Sequence, residues 1–375
     1  MYIKRLGLKN FRNFNSISLE PKERLNIFLG ANGQGKTSLI EAAYFCSHGS
    51  TFRPSESRSV VNDQVKNGRA RINAEVISQN KTSEIKIEFS ERKSFSVNSK
   101  KTLGSGLYKV FPTVLFSPES LSVIKSSQQV RRDFFDEMVM LHQPLRIKLV
   151  SEFRRALLSR NRLLKAFTKG LLDKPTFEDL FISLNDSYFR LGSELTLARI
   201  EAIAALERDF REATRYIFSN KEMLCSVNYL ISGENANTKG LIEIQNKMQD
   251  RFMQIKKAEI STGVSLVGPH KHDIQIIFNN KDARYYCSQG QQRTLILTLK
   301  ISQIMYHHAV YGRYPVLLLD DVMSELDKDK RLKLIEFINN FKSQIFVTTT
   351  DLSDLEKISG GQIFELTDGE IKSQC

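Results

Sequence analysis

The chain has 375 residues, which exceeds the ~250–300 at which one hydrophobic core stops growing, so it should form a large domain with at least one added lobe. Hydrophobic residues make up 41% and charged residues 26%, which excludes a mostly disordered or collagen-like chain. The 55 basic against 42 acidic residues leave a net charge of +13, which favours a polyanionic partner such as nucleic acid or an anionic membrane surface.

The start of the chain has no apolar segment of the kind that a secretion signal needs, and the longest apolar runs fall far short of the ~18 residues of a membrane span. The four cysteines, Cys46, Cys225, Cys287 and Cys375, are scattered and form no CxxC pair. Neither a zinc site nor a disulfide framework is indicated. We therefore expect a cytoplasmic protein that needs no membrane.

The first elements read as strand, loop and helix. Residues 25–29 are rich in β-formers, residues 30–37 are rich in glycine, and good helix formers follow from Ser38 to Phe45. Every second residue is then apolar in 70–76 and again in 84–89, as half-buried antiparallel strands require. These stretches predict a β-meander beside the first helix.

The pattern becomes helical from about Gln128 to Lys257. Apolar residues recur every three or four positions through 177–195, which is typical of a long amphipathic helix. The polar run 232–240 reads as a loop before a further helix that carries the apolar positions of 241–255. We predict an inserted helical lobe at 121–260, between the two parts of a head domain at 1–120 and 261–375.

Strands return after the helical stretch. The segments 273–278 and 283–287 flank Asn279-Asn280, which predicts a hairpin. The short continuous apolar runs 316–319 and 345–347 are typical of strands buried in a parallel sheet. The fold class predicted from these elements is α/β.

The strongest motif is a match to G-x-x-x-x-G-K-[ST] between a predicted strand and a predicted helix, the setting of a phosphate-binding P-loop. Chance gives such a match in roughly 1% of chains of this length. The glycines let backbone N–H groups wrap the phosphates, Lys36 reaches the β- and γ-phosphates as a catalytic residue, and Thr37 offers its hydroxyl to Mg²⁺. The predicted nucleotide-binding residues are Gly30, Ala31, Asn32, Gly33, Gln34, Gly35, Lys36 and Thr37.

An apolar strand, 315–319, ends in two acids. Alone, this pattern is more often a strand that ends in a polar turn. Beside a P-loop, an acid at the end of a buried strand holds Mg²⁺ through its water shell, so Asp320 is the expected metal partner and Thr37 its companion ligand. Asp321 is then the catalytic carboxylate that polarises the attacking water.

A third segment, Ser288, Gln289, Gly290, Gln291, Gln292 and Arg293, precedes an apolar helical run. A serine and glycine at a helix N-terminus can bind an anion, although in isolation an ordinary N-cap is the better interpretation. Its place between the P-loop and Asp320 favours the anion site. The order of P-loop, helix-start segment and aspartate strand is that of ABC ATPase heads.

At these residues the chain resembles the RecF family of bacterial recombination and repair ATPases, within the SMC-like ABC class. The resemblance extends over essentially the whole chain and rests on seven segments: 8–14 (LKNFRNF), the P-loop, 116–119 (FSPE), 131–136 (RRDFFD), 268–270 (GPH), 288–293 (SQGQQR) and 317–327 (LLLDDVMSELD). It implies a P-loop ABC-type ATPase head. It also implies that the signature residues Ser288, Gln289, Gly290 and Gln291 of one subunit cap the γ-phosphate in another.

The resemblance further implies what the protein does. ATP with Mg²⁺ would close a homodimer around double-stranded or gapped DNA, weak ATPase activity would reopen it, and mediators like RecR and RecO would help load RecA at gaps during replication, repair and the SOS response to DNA damage. Two alternatives are an ATPase subunit that drives a membrane transporter and another SMC-like head. The basic charge and the SQGQQ signature stand against the transporter.

The sequence departs from the expected patterns in three places. Lys271-His272-Asp273 follows Gly268-Pro269-His270 where the family usually has Arg-Asp-Asp. Asp321 stands where most ABC proteins have glutamate, and its shorter side chain fits slow hydrolysis. Thr348 and Thr349 occupy the region of the usual ABC histidine, so a hydroxyl there is expected to sense the γ-phosphate.

Basic residues cluster at 131–169, a stretch that contains ten lysines and arginines and only four acidic residues. Most charge runs are simply solvated helix faces. Because the whole chain is basic, we expect phosphate contacts here instead, and the candidates for DNA binding are Arg154, Arg155, Arg160 and Arg162. No recognition helix or RNP motif is present, which predicts binding by duplex shape and backbone rather than by sequence.

Overall fold

The structure is a computed structural model that describes residues 1–53, 60–62, 65, 68–90, 93–143, 146–351, 360–367 and 370–374. The chain divides into two compact units. The first unit comprises Met1–Ser122, Glu212–Lys221 and Ser288–Cys375. The second comprises Val123–Arg211 and Glu222–Cys287.

The elements are numbered through the chain. The strands are β1 (Tyr2–Phe11), β2 (Phe14–Leu19), β3 (Leu25–Leu29), β4 (Ala70–Ser78), β5 (Lys81–Phe89), β6 (Ser94–Val97), β7 (Lys100–Thr102), β8 (Thr113–Phe116), β9 (Cys225–Ile231), β10 (Glu234–Asn235), β11 (Asp273–Phe278), β12 (Lys281–Asp282), β13 (Val316–Asp320), β14 (Ile345–Thr349), β15 (Gln362–Thr367) and β16 (Glu370–Gln374). The helices are α1 (Lys36–His48), α2 (Gly104–Val110), α3 (Pro118–Leu121), α4 (Gln128–His142), α5 (Ile147–Thr168), α6 (Lys174–Phe218), α7 (Leu241–Thr262), α8 (Ala283–Tyr286), α9 (Gln289–Tyr311) and α10 (Lys328–Asn340).

The first unit contains two sheets with α1 against strands of both. One is antiparallel, in the order β2-β1-β4-β5-β6-β7, and its strands alternate buried and exposed residues because only one face meets the core. Phe11, Phe45 and Phe89 from β1, α1 and β5 meet there with ring centroids 5.1–6.1 Å apart. The predicted meander and the predicted α/β class are confirmed.

The second sheet of this unit fixes the position of the candidate site. Its order is β16-β15-β3-β14-β13-β8, and all neighbours are parallel except the edge pair β15 and β16. The register pairs Leu29 with Thr349 and Thr348 with Asp320. Because parallel strands share one carboxyl edge, the P-loop after β3, the acids after β13 and the threonines of β14 converge there.

The second unit corrects two sequence predictions. Residues 225–231, within the stretch read as helical, form β9, and β9 pairs with β11 in a sheet of order β10-β9-β11-β12. The predicted hairpin turn exists, with Asn279 and Asn280 both in the left-handed region. The strand predicted at 283–287 is wrong, because Asp282 accepts a hydrogen bond from the Arg284 N–H at 2.8 Å and starts the short helix α8.

The two units also divide the chain differently from the predicted head and lobe. Residues 212–221 group with the first unit, and residues 261–287 group with the second. The second difference has a simple cause, since β11 is hydrogen-bonded to β9 and therefore follows its pairing partner. A division into an ATPase head and an inserted lobe stays a prediction, and the lobe would contain a sheet as well as helices.

The segment that departs from the family pattern at 271–273 has structural contacts in the second unit. His272 is buried, its carbonyl accepts a hydrogen bond from Arg132 at 2.7 Å, and its Nδ1 lies 3.0 Å from the Tyr229 hydroxyl. Asp273 pairs with Arg131 at 2.8 Å and with Arg284 at 3.1 Å. These contacts fasten β11 to α4 and α8.

Two simpler expectations concern membranes and cysteines. In the described ranges, no helix combines the length and the apolar character needed to cross a bilayer. Cys46 and Cys225 are buried and Cys287 is partly exposed, no disulfide joins these three described cysteines, and Cys375 lies outside the described residues.

Helix α5 places its arginines on opposite faces. Arg160, a predicted DNA contact, is fully buried, so that prediction is wrong. Its guanidinium donates to Glu259 at 2.6 Å, Ser265 at 2.7 Å and Asn185 at 2.8 Å. The carboxylate of Glu259, also fully buried, accepts two further bonds from the N–H groups of residues 266 and 267. Arg160 therefore ties α5, α6 and α7 together.

We predict that Arg160→Ala lowers the free energy of unfolding by about 3–5 kcal/mol, because it leaves the Glu259 carboxylate buried without its cation. Arg155→Ala, on the exposed face of the same helix, should change it by less than ~0.5 kcal/mol. Chemical denaturation of both variants measures the difference. Equal stability of the two would contradict a structural role for Arg160.

Candidate nucleotide-binding site

A cleft of about 460 Å³ opens at the carboxyl edge of the parallel sheet in the first unit. Its described lining comprises Arg12, Asn13, Asn32, Gly33, Gly35, Lys36, Thr37, Ser38, Arg53, Val61, Asn62, Asp321 and Thr348. Residues predicted from the P-loop, the acidic pair and the threonines thus meet in one place. The residues that join them are Arg12 and Asn13 from the turn between β1 and β2, and Arg53 and Asn62 from the segment between α1 and β4.

The backbone of the P-loop adopts conformations that favour glycine. Gly33 has φ of 84° and Gly35 has φ of 102°, both in the left-handed region. A Cβ on Gly35 would also lie 2.5 Å from the side-chain nitrogen of Asn13, which itself donates to the Gln34 carbonyl at 3.1 Å. Gly35 is the N-cap of α1, so the positive end of the helix dipole faces the cleft where a phosphate would bind.

Lys36 turns its ammonium back onto the loop. The Nζ donates to the carbonyls of Gly30 at 2.6 Å and Ala31 at 3.0 Å. Burial lowers the pKa of Lys36 from its ordinary value, and the nearby carboxylates of Asp321 and Asp320 oppose that shift. The same ammonium is therefore placed to exchange loop carbonyls for phosphate oxygens.

Asp320 ends β13 and is almost completely buried. Its carboxylate accepts hydrogen bonds from the hydroxyls of Thr37 and Thr348, the latter at 2.9 Å. Burial raises the pKa of Asp320 from its ordinary value, while these two hydrogen bonds act against the rise. The structure thus brings together the two oxygen donors that the sequence assigned to Mg²⁺.

No cluster of three or more metal-binding side chains occurs among the described residues. A P-loop site does not require one, since Mg²⁺ keeps several waters and takes one or two protein oxygens together with phosphate oxygens. Thr37 and Asp320 fit this role.

Asp321 lines the cleft from an unusual backbone conformation. Its φ of 51° lies in the left-handed region, which is uncommon for a residue with a side chain and often marks functional sites. The N–H of Asp321 donates to the Thr348 hydroxyl at 2.9 Å, and its carbonyl accepts from the Ser324 hydroxyl at 2.9 Å. These bonds hold the turn that aims the carboxylate into the cleft.

The two threonines differ in their surroundings. Thr348 lines the cleft and uses its one hydroxyl proton on Asp320 while accepting from the Asp321 N–H. Thr349 instead donates to the carbonyl of Asp351 at 2.8 Å and is absent from the described lining. A role in sensing the γ-phosphate stays a prediction for both, and the geometry favours Thr348.

Sequence reasoning assigned no role at the cleft to Arg12 and Arg53. The Arg12 guanidinium makes two hydrogen bonds, of 2.6 and 2.9 Å, to the carboxylate of Glu41, which is fully buried in α1. Thr51 donates to the same carboxylate at 2.5 Å and accepts from the Arg53 N–H at 3.0 Å. The sequence gives no sign of these contacts, because Glu41 lies on a helix face whose pattern is that of an ordinary hydrophobic core.

The signature segment lies at the exposed start of α9. Ser288 accepts from the Gln291 N–H at 3.2 Å and the Gln291 side chain accepts from the Ser288 N–H at 2.9 Å, which is a capping box. Residues 288–291 are all exposed, and none belongs to the described lining of the cleft. Arg293 joins α9 to the loop after β13 through an ion pair of 2.7 Å with Glu325.

The remaining DNA-binding candidates lie on the outer face of α5. Arg155 and Arg162 are exposed. Arg154 is exposed too, but it pairs with Asp133 at 2.8 Å.

Comparison with known proteins places the chain in a family. The family described as RecF/RecN/SMC N terminal domain matches residues 2–368. The DNA replication and repair protein RecF of Ligilactobacillus salivarius is 32% identical over 379 residues, which cover 100% of this chain and 98% of that protein. The corresponding protein of Halalkalibacterium halodurans is 32% identical over 378 residues, covering 100% of both chains. This chain belongs to the RecF family.

Solved structures agree with membership of the RecF family. The recombination mediator protein RecF with ATP, from the RecFOR pathway, superposes with a TM-score of 0.88 at 28% identity, covering 100% of this chain and 98% of that one. An Smc head domain of Pyrococcus furiosus, solved with the C-terminal domain of ScpA, gives a TM-score of 0.53 at 16% identity, covering 100% of this chain and 96% of that one. The second likeness shows a shared fold.

We predict that Lys36→Met lowers affinity for a nucleoside triphosphate at least ~100-fold, about 2.7 kcal/mol, because a neutral side chain replaces the ammonium beside the phosphates. Thermal unfolding should hardly change. Titration with a fluorescent nucleotide measures affinity, and Lys100→Met on the exposed strand β7 is the control. Undiminished binding by folded Lys36→Met protein would contradict the assignment of the cleft.

Proposed function

We propose that this chain is an ATP-dependent DNA-binding protein of DNA replication and recombinational repair that acts as an ATP-controlled dimer. The observation that carries the proposal is the convergence of Lys36, Thr37, Asp320 and Asp321 on one cleft, in a chain 32% identical over its full length to proteins named for DNA replication and repair. The ATP-bound RecF structure supports ATP as the nucleotide.

Phosphate binding would follow from the cationic groups at the cleft. The N-terminus of α1 and Lys36 would face the β- and γ-phosphates, and Arg12 and Arg53 line the same cleft with fork-shaped cations that suit phosphate oxygens. Thr37 and Asp320 would hold Mg²⁺, which when bound neutralises charge on the phosphate oxygens.

Hydrolysis would be weak. Asp321 would orient and polarise the attacking water, and its carboxylate reaches one methylene less far than the glutamate common in ABC proteins. Its backbone is fixed by Thr348 and Ser324, so the loop cannot readily move to make up the difference. Slow turnover suits a protein in which bound ATP switches the protein between states and is not consumed as an energy source.

The γ-phosphate would be closed in by a second copy of the chain. Ser288 and its neighbours are exposed and lie outside the lining of the cleft, so a signature in this position serves a partner better than its own nucleotide. The result is a two-fold dimer in which each copy completes the other's site.

DNA would lie along the outer face of α5. Five exposed cations, at spacings of three, four or seven residues, form a stripe along this helix and its C-cap, and we call it the α5 stripe: Lys148, Arg155, Arg162, Lys165 and Lys169. The α5 stripe contains Arg155 and Arg162, which are two of the four arginines predicted to bind DNA. Double-stranded or gapped DNA would bind it through phosphates, and RecR- or RecO-like mediators would assist in loading recombinase.

The alternatives fit less well. A transporter-driving subunit would need a surface for a membrane partner, while the net charge of +13 and the full-length likeness to repair proteins favour DNA. Another SMC-like head is less favoured because identity to those heads is 14–16%, against 28% to solved RecF.

Charge reversal of the α5 stripe should weaken DNA binding without regard to sequence. For Arg155→Glu/Arg162→Glu/Lys165→Glu, we expect the slope of log affinity against log salt to become shallower by about 2–3, since each lost phosphate contact accounts for about 0.9. Fluorescence anisotropy with duplex DNA at several salt concentrations measures it. Lys81→Glu/Lys100→Glu/Lys101→Glu, on exposed positions of β5 and β7, matches the charge change. Equal slopes in both variants would rule out the α5 stripe as the DNA surface.

If Ser288 of one copy completes the nucleotide site of the other, two inactive variants should complement each other when they are mixed. Ser288→Arg should bind ATP yet fail to dimerise, whereas Asp321→Asn should bind and dimerise but hydrolyse at least ~100-fold more slowly, since it loses only the group that polarises water. Mixing Ser288→Arg with Lys36→Met forms heterodimers that contain one intact composite site. Measured ATPase activity should therefore partly return.

The control for this mixture replaces Lys36→Met by the double variant Ser288→Arg/Lys36→Met, which leaves no intact site. Activity absent from both mixtures, with every protein folded, would show that Ser288 does not act in trans.

A further inference from the structure

Tyr285 and Tyr286 expose 73% and 67% of their surface, more than any other aromatic residue in the described part of the chain. They end α8, the short helix just before the signature segment. Aromatic rings in water gain free energy when a flat apolar partner covers them. Two such rings on consecutive residues therefore indicate a binding surface.

The pair is held in place by its neighbours. A cation lies over each ring, with Lys281 Nζ 5.3 Å from the centroid of Tyr286 and the Arg284 guanidinium 5.6 Å from that of Tyr285. Arg284 is fixed in turn by its ion pair with Asp273, and Ala283, the first residue of α8, is fully buried. A platform organised in advance loses little entropy when it binds.

The pair lies close to the signature segment along the chain. Tyr286 precedes Ser288 by two residues, so their Cα atoms lie within about 7 Å of each other. The exposed residues 285, 286 and 288–291 thus follow one another along the chain, with the partly exposed Cys287 between them. If Ser288 reaches the γ-phosphate of a second copy, the tyrosines arrive at that copy's cleft as well.

The cleft itself offers no ring to a nucleobase. No aromatic residue occurs in its described lining, and none of the residues outside the described ranges is aromatic. The P-loop would hold the phosphates, and a base within the described lining would meet no aromatic side chain of its own chain. A base stacked on an aromatic side chain gains roughly 1–3 kcal/mol.

We propose that Tyr285 and Tyr286 of one copy stack on the nucleobase bound in the cleft of the other copy. The inference rests on the proposed ATP-controlled dimer and adds to it the group that recognises the base. Lys281 favours a nucleotide over an uncharged apolar surface, because it places a positive charge beside the Tyr286 ring and a polyphosphate is negative. Base recognition and dimer closure thereby become one event.

The test compares Tyr285→Ala/Tyr286→Ala with Tyr285→Phe/Tyr286→Phe, which keeps the rings and removes only the hydroxyls. Analytical ultracentrifugation gives the concentration of ligand that produces half-maximal dimer, with ATP or with inorganic tripolyphosphate, each with Mg²⁺. For the alanine variant, we expect the ATP concentration to rise roughly 5- to 150-fold, the equivalent of one stacked base, with the tripolyphosphate concentration unchanged. The phenylalanine variant should match the wild type.

Each other outcome overturns the inference in a distinct way. If the alanine variant dimerises at the same ATP concentration as the wild type, the tyrosines do not stack on the base, and the proposed dimer is unaffected. Equal losses with ATP and tripolyphosphate mean that the tyrosines pack on the partner's protein surface and not on the base. A wild-type protein that ATP does not dimerise overturns the proposed dimer and the stacking together.

Discussion

The parallel pairing of β3, β14 and β13 is the constraint on which the candidate site depends. The register sets Asp320 beside Thr348 and Thr349 beside Leu29, so the loop after β3 starts next to the acids after β13. The Thr348 hydroxyl then joins the two acids, since it donates to Asp320 and accepts from the Asp321 N–H. A shift of one residue in this register would separate the groups that a triphosphate must meet together.

Arginine has different roles in the two units. In the first unit, Arg12 lines the cleft and its guanidinium is paired with the carboxylate of Glu41. In the second, Arg160 is enclosed by three helices, and Arg199 is tied to Asp136 at 2.7 Å in a buried pair. Each of these arginines is matched by a carboxylate, so the pairs leave the net charge of +13 unchanged, and net charge alone does not show which cations are exposed.

The exposure of the signature is informative because the segment is otherwise well ordered by its capping box. Ser288 and Gln291 satisfy each other's backbone groups, yet a Cβ on Gly290 would meet nothing within 4 Å. A preformed helix start with open space before it is suited to meet another surface. Placing base recognition, γ-phosphate closure and dimerisation on neighbouring residues would let ATP control all three.

The sequence by itself determined the P-loop, the acids after β13, the meander and the α/β class, because each depends on local spacing of glycine, charge or apolar residues. Tertiary structure decided which α5 arginines are exposed, that β9 is a strand, and that Arg12 and Arg53 reach the cleft. Arg155 and Arg160 look alike in sequence, and only the packing of α6 and α7 against one side of α5 separates them. Pairing between β9 and β11 likewise joins residues that are 43 to 53 positions apart in the chain, a separation over which no local pattern carries information.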